Sequence, residues 1–257
     1  MLSQRNILRD LVCSILLAFV GYLWLSKTNH PVKVDLIIEG ALFTMLAGRG
    51  IIGYFNAGQN TDSRFKRFEL FWGFTYGVVA IAAIISLTYL LNNPSVHEIG
   101  YSQVKESMLL QVSTIIKSTS FIFLFIAWFQ FYRFLEIDVS TKRQVFVYLG
   151  GFLLYFIPSL VILKITGDSS ILSLGILLGS VIGLFALIAQ KPSTKFLTIY
   201  FFLFSCVHLW EFYLMGAGHN LITGLNNPVY WLLIMMYGLE VNRWIEENNK
   251  NSVSITG

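Results

Sequence analysis

An all-α polytopic membrane bundle is the fold class this sequence predicts, and three observations predict it. The chain is 257 residues long, 55% hydrophobic and only 12% charged. Soluble domains carry roughly 25% charged residues, so this chain lacks the polar side chains to cover a water-facing surface. Apolar runs recur along the whole length, each near the about 20 residues that a helix needs to cross about 30 Å of hydrocarbon. Lys and Arg, finally, cluster in alternate connections between those runs.

Eight spans follow: Leu11–Leu25, Val34–Phe55, Phe68–Leu91, Val112–Tyr132, Val145–Leu163, Ile171–Gln190, Phe196–Met215 and Pro228–Trp244. The first is short and ends at Leu25-Ser26-Lys27 without a small-x-small cleavage pattern, so it reads as an anchor. The second is interrupted by charge at Glu39 and Arg49, which keeps seven spans as the alternative. Asn92-Asn93-Pro94 closes the third. The outward stretch from Asn92 to Gln111 then has room for a surface-lying helix leading into the fourth. Pro158 should kink the fifth, which Gly167-Asp168 ends. Lys191-Pro192 ends the sixth, and Asn226-Asn227-Pro228 opens the eighth.

With the N-terminus and alternate loops on one side, that side holds twelve of the eighteen Lys and Arg, against four on the other. This is the positive-inside pattern, and it places both termini in the cytoplasm. Trp24 and Trp231 fall near outer ends of spans, and Trp72, Trp128 and Trp244 near inner ends, as an aromatic belt would place them. The remaining aromatic residues read as lipid-facing and helix-packing surface rather than a pigment box. Residues 1–257 form one integral membrane domain with no soluble domain. Leu-Asn-Asn-Pro at Leu91–Pro94 and Leu225–Pro228 admits a weak four-plus-four repeat, 1–134 and 135–257.

Function is sought at charges inside the spans, because an ionisable group in hydrocarbon costs roughly 2.5–3.5 kcal/mol and is kept where it is paired, wet or useful. Glu39, Arg49, Lys117, His208, Glu211 and Glu240 qualify. His208 and Glu211 are three apart and share a helical face, as a base and its orienting carboxylate would. The pair lacks the further ligands that a metal requires, so no metal site and no cofactor are expected. Lys117 either snorkels outward or neutralises Glu39 or Glu211. Arg49 stands between Gly48 and Gly50, which permit close approach of another helix, and is expected to pair with Glu240. Glu69 and Arg133 fall near the inner boundary, which accounts for them.

Composition excludes several classes. No Walker, Gly-x-Ser-x-Gly or His-Glu-x-x-His pattern occurs. The final span has no Lys for a retinal Schiff base, and only His208 is deep enough for haem ligation. The pI near 9.0 follows from the basic loops, so nucleic-acid binding is not indicated. Three functions remain open. The first is movement of a small solute, ion or lipid, with Glu39, Lys117, His208 and Glu211 lining an outward-facing cavity. The second is a metal-independent intramembrane enzyme acting on an isoprenoid-like or acyl substrate, with Glu211 or Glu39 as acid and His208 as base. The third is a structural or assembly subunit. A bacterial inner membrane is the expected location. Membrane lipid is the expected partner, with a second copy or another membrane subunit, since eight helices are few for a carrier.

Overall fold

The computed structural model describes residues 31–57, 62–97, 99, 101–167, 169–191 and 194, with isolated positions 12, 16 and 19. These residues form helices and no strands: α1 Pro31–Asn56, α2 Ser63–Asn92, α3 Tyr101–Glu106, α4 Met108–Leu135, α5 Thr141–Thr166 and α6 Ser169–Ile188. All but α3 are long and apolar enough to cross a membrane. They coincide with the second to sixth sequence-predicted spans, the second to fifth each extended by a few residues and the sixth shifted two residues toward the N-terminus, and α3 lies in the stretch predicted to hold a surface helix. The first, seventh and eighth predicted spans, with His208, Glu211 and Glu240, lie outside the described residues apart from positions 12, 16 and 19. The chain is thus a multi-pass helical membrane protein.

Short connections force neighbours in sequence to run antiparallel. Six residues separate α1 from α2, five separate α4 from α5, and two separate α5 from α6. Across the bundle α1 packs on α2, α2 on α4, α4 on α6, and α5 on α6, while α3 rests on the start of α4. One end of the bundle therefore gathers the C-termini of α1, α4 and α6 and the N-termini of α2 and α5. Among the described residues that end carries Arg64, Lys66, Arg67, Arg133, Lys142, Arg143 and Lys191. Lys33, Lys105 and Lys164 lie at the other. The first is called the basic end below.

Helix termini are closed by local chemistry, at Asn93 and Gly167 as the turn residues predict. The Asp62 side chain accepts a bond of 2.6 Å from the Arg64 N–H and caps α2, satisfying a donor that the first helical turn leaves without a partner. At the far end of α2 both the backbone and the side-chain nitrogen of Asn93 donate to the Tyr89 carbonyl. Gly167 ends α5 in the left-handed conformation, φ 71°, and its N–H donates to Leu163 O at 2.8 Å. Through Pro158 the helix α5 is continuous, and the neighbouring Ser159 hydroxyl donates to the Tyr155 and Phe156 carbonyls.

Two kinds of contact hold the layers together. Aromatic rings fill the centre: Phe68 lies 4.9 Å from Phe131 and 5.4 Å from Trp128, and Trp128 lies 4.3 Å from Phe185, linking α2, α4 and α6. Trp72 and Trp128 are 1% and 0% exposed. The belt reading of these two tryptophans is therefore corrected. They sit at the expected depth but turn inward, because offset and edge-to-face ring packing rewards burial of the whole indole. Glycines make the other kind of contact. Gly50 of α1 meets Gly73 of α2, and Gly151 of α5 meets Gly183 of α6, so backbones approach directly. Large apolar side chains point outward instead, among them Phe146, Leu149, Leu154 and Ile157 of α5, as lipid would require.

Candidate functional site

Charged side chains of the spans fall at two depths. Near the end opposite the basic one, α1 carries Asp35 and Glu39 one turn apart, hence on one face. Asp35 is 6% exposed and Glu39 half-buried. The neighbouring register is set by Gly40, which lies against Ala83 of α2. On the far side of α2, the Ser113 hydroxyl of α4 approaches the Ala82 carbonyl and the Ser86 hydroxyl, each at 2.8 Å. Lys117 follows Ser113 by one turn, so its depth is within about 6 Å of that of Glu39. Lys117 is exposed on α4 and makes no ion pair with Glu39. These two helices flank α2, and the structure does not bring the two charges into contact. The expected partners His208 and Glu211 lie outside the described residues.

The other depth lies near the basic end, where α1 and α2 cross. A Cβ on Gly50 would sit 2.7 Å from the Gly73 nitrogen and 2.8 Å from the Glu69 carbonyl oxygen. One on Gly73 would lie 2.9 Å from the Ile51 nitrogen. Only hydrogen fits at these positions, and the helices close on each other. One turn further along α1, a Cβ on Gly53 would fall 2.6 Å from Glu69 Oε1. Gly53 thus supplies the space for the Glu69 carboxyl. On its own helix Glu69 shares a buried face with Phe65, Phe68, Trp72 and Tyr76.

Glu69 is 1% exposed, and its Oε2 meets no hydrogen-bond partner among the described residues. The cations whose charges act on it are Arg49 of α1 and Lys66 one turn back on α2. Glu69 lies near the inner boundary, where the sequence places it, but that position does not account for it, because its carboxyl is buried. A signal was present, since Glu69 stands in helical register with Phe65, Trp72, Gly73 and Tyr76. Arg49 is exposed on α1, and Gly48 beside it has open space, whereas Gly50 makes the close helix contact that glycines there were expected to permit.

Outside the hydrocarbon, Arg64 ties the basic end together. Its guanidinium donates to Asp62 Oδ2 at 2.8 Å, to Glu136 Oε1 at 2.9 Å and to the Arg133 carbonyl at 2.9 Å. The hydrogen bond from Arg64 holds the Asp62 carboxyl below the usual carboxylate range. Glu136 adopts the left-handed conformation, φ 47°, which lets the chain turn sharply after α4. Lys191 after α6 donates to the Leu135 carbonyl at 2.8 Å, so three helix ends share one polar cap.

Among the described residues no group of three or more His, Cys, Asp or Glu is placed to hold a metal ion. No family model, no curated protein and no solved structure matches this chain.

Proposed function

We propose that this multi-pass membrane protein moves a small solute, ion or lipid across the bilayer. The observation that carries this reading is Glu69: a fully buried carboxyl on a membrane-spanning helix, with one oxygen lacking any hydrogen-bond partner among the described residues. A structural role would be served more cheaply by an apolar side chain, since a buried polar atom without a partner costs on the order of 1–3 kcal/mol. Ionisable groups retained at such positions mark ion and substrate paths and proton relays. Asp35 and Glu39 at the opposite depth give the bundle acidic groups near both faces of the hydrocarbon layer. In this proposal Glu39, Lys117, His208 and Glu211 line the outward-facing part of the path, and Glu69 stands at its basic end. A bacterial inner membrane, with the basic end in the cytoplasm, is the location that the charge asymmetry supports. A second copy or a partner subunit completes the assembly.

Purified protein in proteoliposomes tests this. Entry of protons, monovalent ions and small polar solutes, and flipping of a fluorescent lipid, are followed for wild type, Glu69→Gln, Glu211→Gln and empty vesicles. The expected result is flux of at least one probe in wild type, reduced at least tenfold in both variants. Equal flux in all four preparations for every probe contradicts the proposal.

A further inference from the structure

We propose that Glu69 is a proton-exchanging carboxyl, which takes up a proton at the basic end to become a neutral acid and releases it there to become a carboxylate. The step changes only the O–H bond: a proton from water adds to one carboxylate oxygen, and the reverse returns it. This deepens the transport reading, and rests on it only for the coupling of that proton to a moving solute.

Geometry carries the assignment. Glu69 is 1% exposed, and Gly53 lies directly in front of its Oε1. An ionised carboxylate without hydrogen bonds is strongly disfavoured in such surroundings, and binding a proton removes the penalty. The titratable or charged groups that the adjoining helices carry at this level are Arg49 and Tyr54 on α1 and Tyr132 on α4. On α4 no charged side chain lies between Lys117 and Arg133. Its Oε2 meets no hydrogen-bond partner among the described residues, so a proton can add there without displacing an existing bond. The route to water is short: Glu69 lies six residues, about 9 Å, inside the first residue of α2. Half-buried Lys66 stands between it and the polar cap.

Infrared difference spectroscopy of the full chain in lipid, between acid and alkaline buffer, tests the proposal. Wild type should show a protonated-carboxyl C=O band that disappears as pH rises. Glu69→Gln should lose that band change, while Glu69→Asp should keep it at a shifted frequency. Thermal unfolding on the same samples shows that each variant is folded. Should the Gln variant not fold, the Asp variant decides, and an unshifted band overturns the assignment. A Gln variant with the full wild-type band change, or a wild type without any pH-dependent carboxyl band, also overturns it. Flux recorded on the same samples separates the two readings: a Glu69 band with wild-type flux in Glu69→Gln refutes transport through Glu69 and leaves the proton site standing.

Discussion

Gly183→Leu is expected to separate α5 from α6 and to cause the largest stability loss of any substitution among the described residues. A Cβ at Gly183 would lie 2.7 Å from both the Tyr148 carbonyl oxygen and its Cδ2. At Gly179 it would lie 2.7 Å from the Phe152 carbonyl oxygen, and at Gly175 it would overlap the Ser159 hydroxyl. Gly175, Gly179 and Gly183 recur every four residues, so one edge of α6 is bare backbone pressed against α5. Backbone atoms cannot swing aside as a side-chain tip can. Overpacking typically costs about 1–3 kcal/mol and more where backbone must shift, so Gly183→Leu should exceed that range. A paired control lies on α5. Gly151 would clash with the Gly183 Cα at 2.9 Å, whereas Gly150 has open space. Gly150→Ala should leave thermal stability in detergent unchanged or raise it by up to about 1 kcal/mol through helix propensity, while Gly151→Ala should lower it. Equal effects at 150 and 151 would show that the two helices do not meet as described.

The second large effect concerns Arg49 and Glu69. Arg49→Ala removes a charge that acts on the buried carboxyl, and Glu69→Gln removes the carboxyl's charge while keeping its shape. The two changes should couple by about 0.5–3 kcal/mol, with the double variant losing less than the sum. Coupling should also grow as pH rises, because only the ionised carboxyl attracts the guanidinium. The Arg49–Glu240 pair expected from the sequence stands as a separate proposal, and its own double-mutant cycle measures it. Additivity between Arg49 and Glu69 at every pH would remove Arg49 from the site.

Hydropathy and turn chemistry made the bundle legible. Asn92-Asn93-Pro94, Gly167 and Lys191 end helices near their predicted ends, and the basic loops gather at one end. What hydropathy does not report is azimuth. A helix apolar on every side shows no period that separates the face toward a neighbour from the face toward lipid. For that reason Trp72, Trp128 and Glu69 were legible in depth but not in direction. The α6 glycines carried their own signal, a four-residue spacing, which composition-level reading passes over. Asp35 is another case: it is buried by the packing of α1, which no single-helix pattern contains.

All of these assignments rest on the described helices crossing a bilayer in alternation, so that Lys33 and Lys142, separated by α1, α2 and α4, lie on opposite sides. Single cysteines at those two positions, in a chain cleared of Cys13 and Cys206, test it with an impermeant thiol reagent applied to intact cells. Lys33→Cys should be labelled from outside, and Lys142→Cys only after the membrane is permeabilised. Labelling of both from outside, or of both only after permeabilisation, would contradict the account.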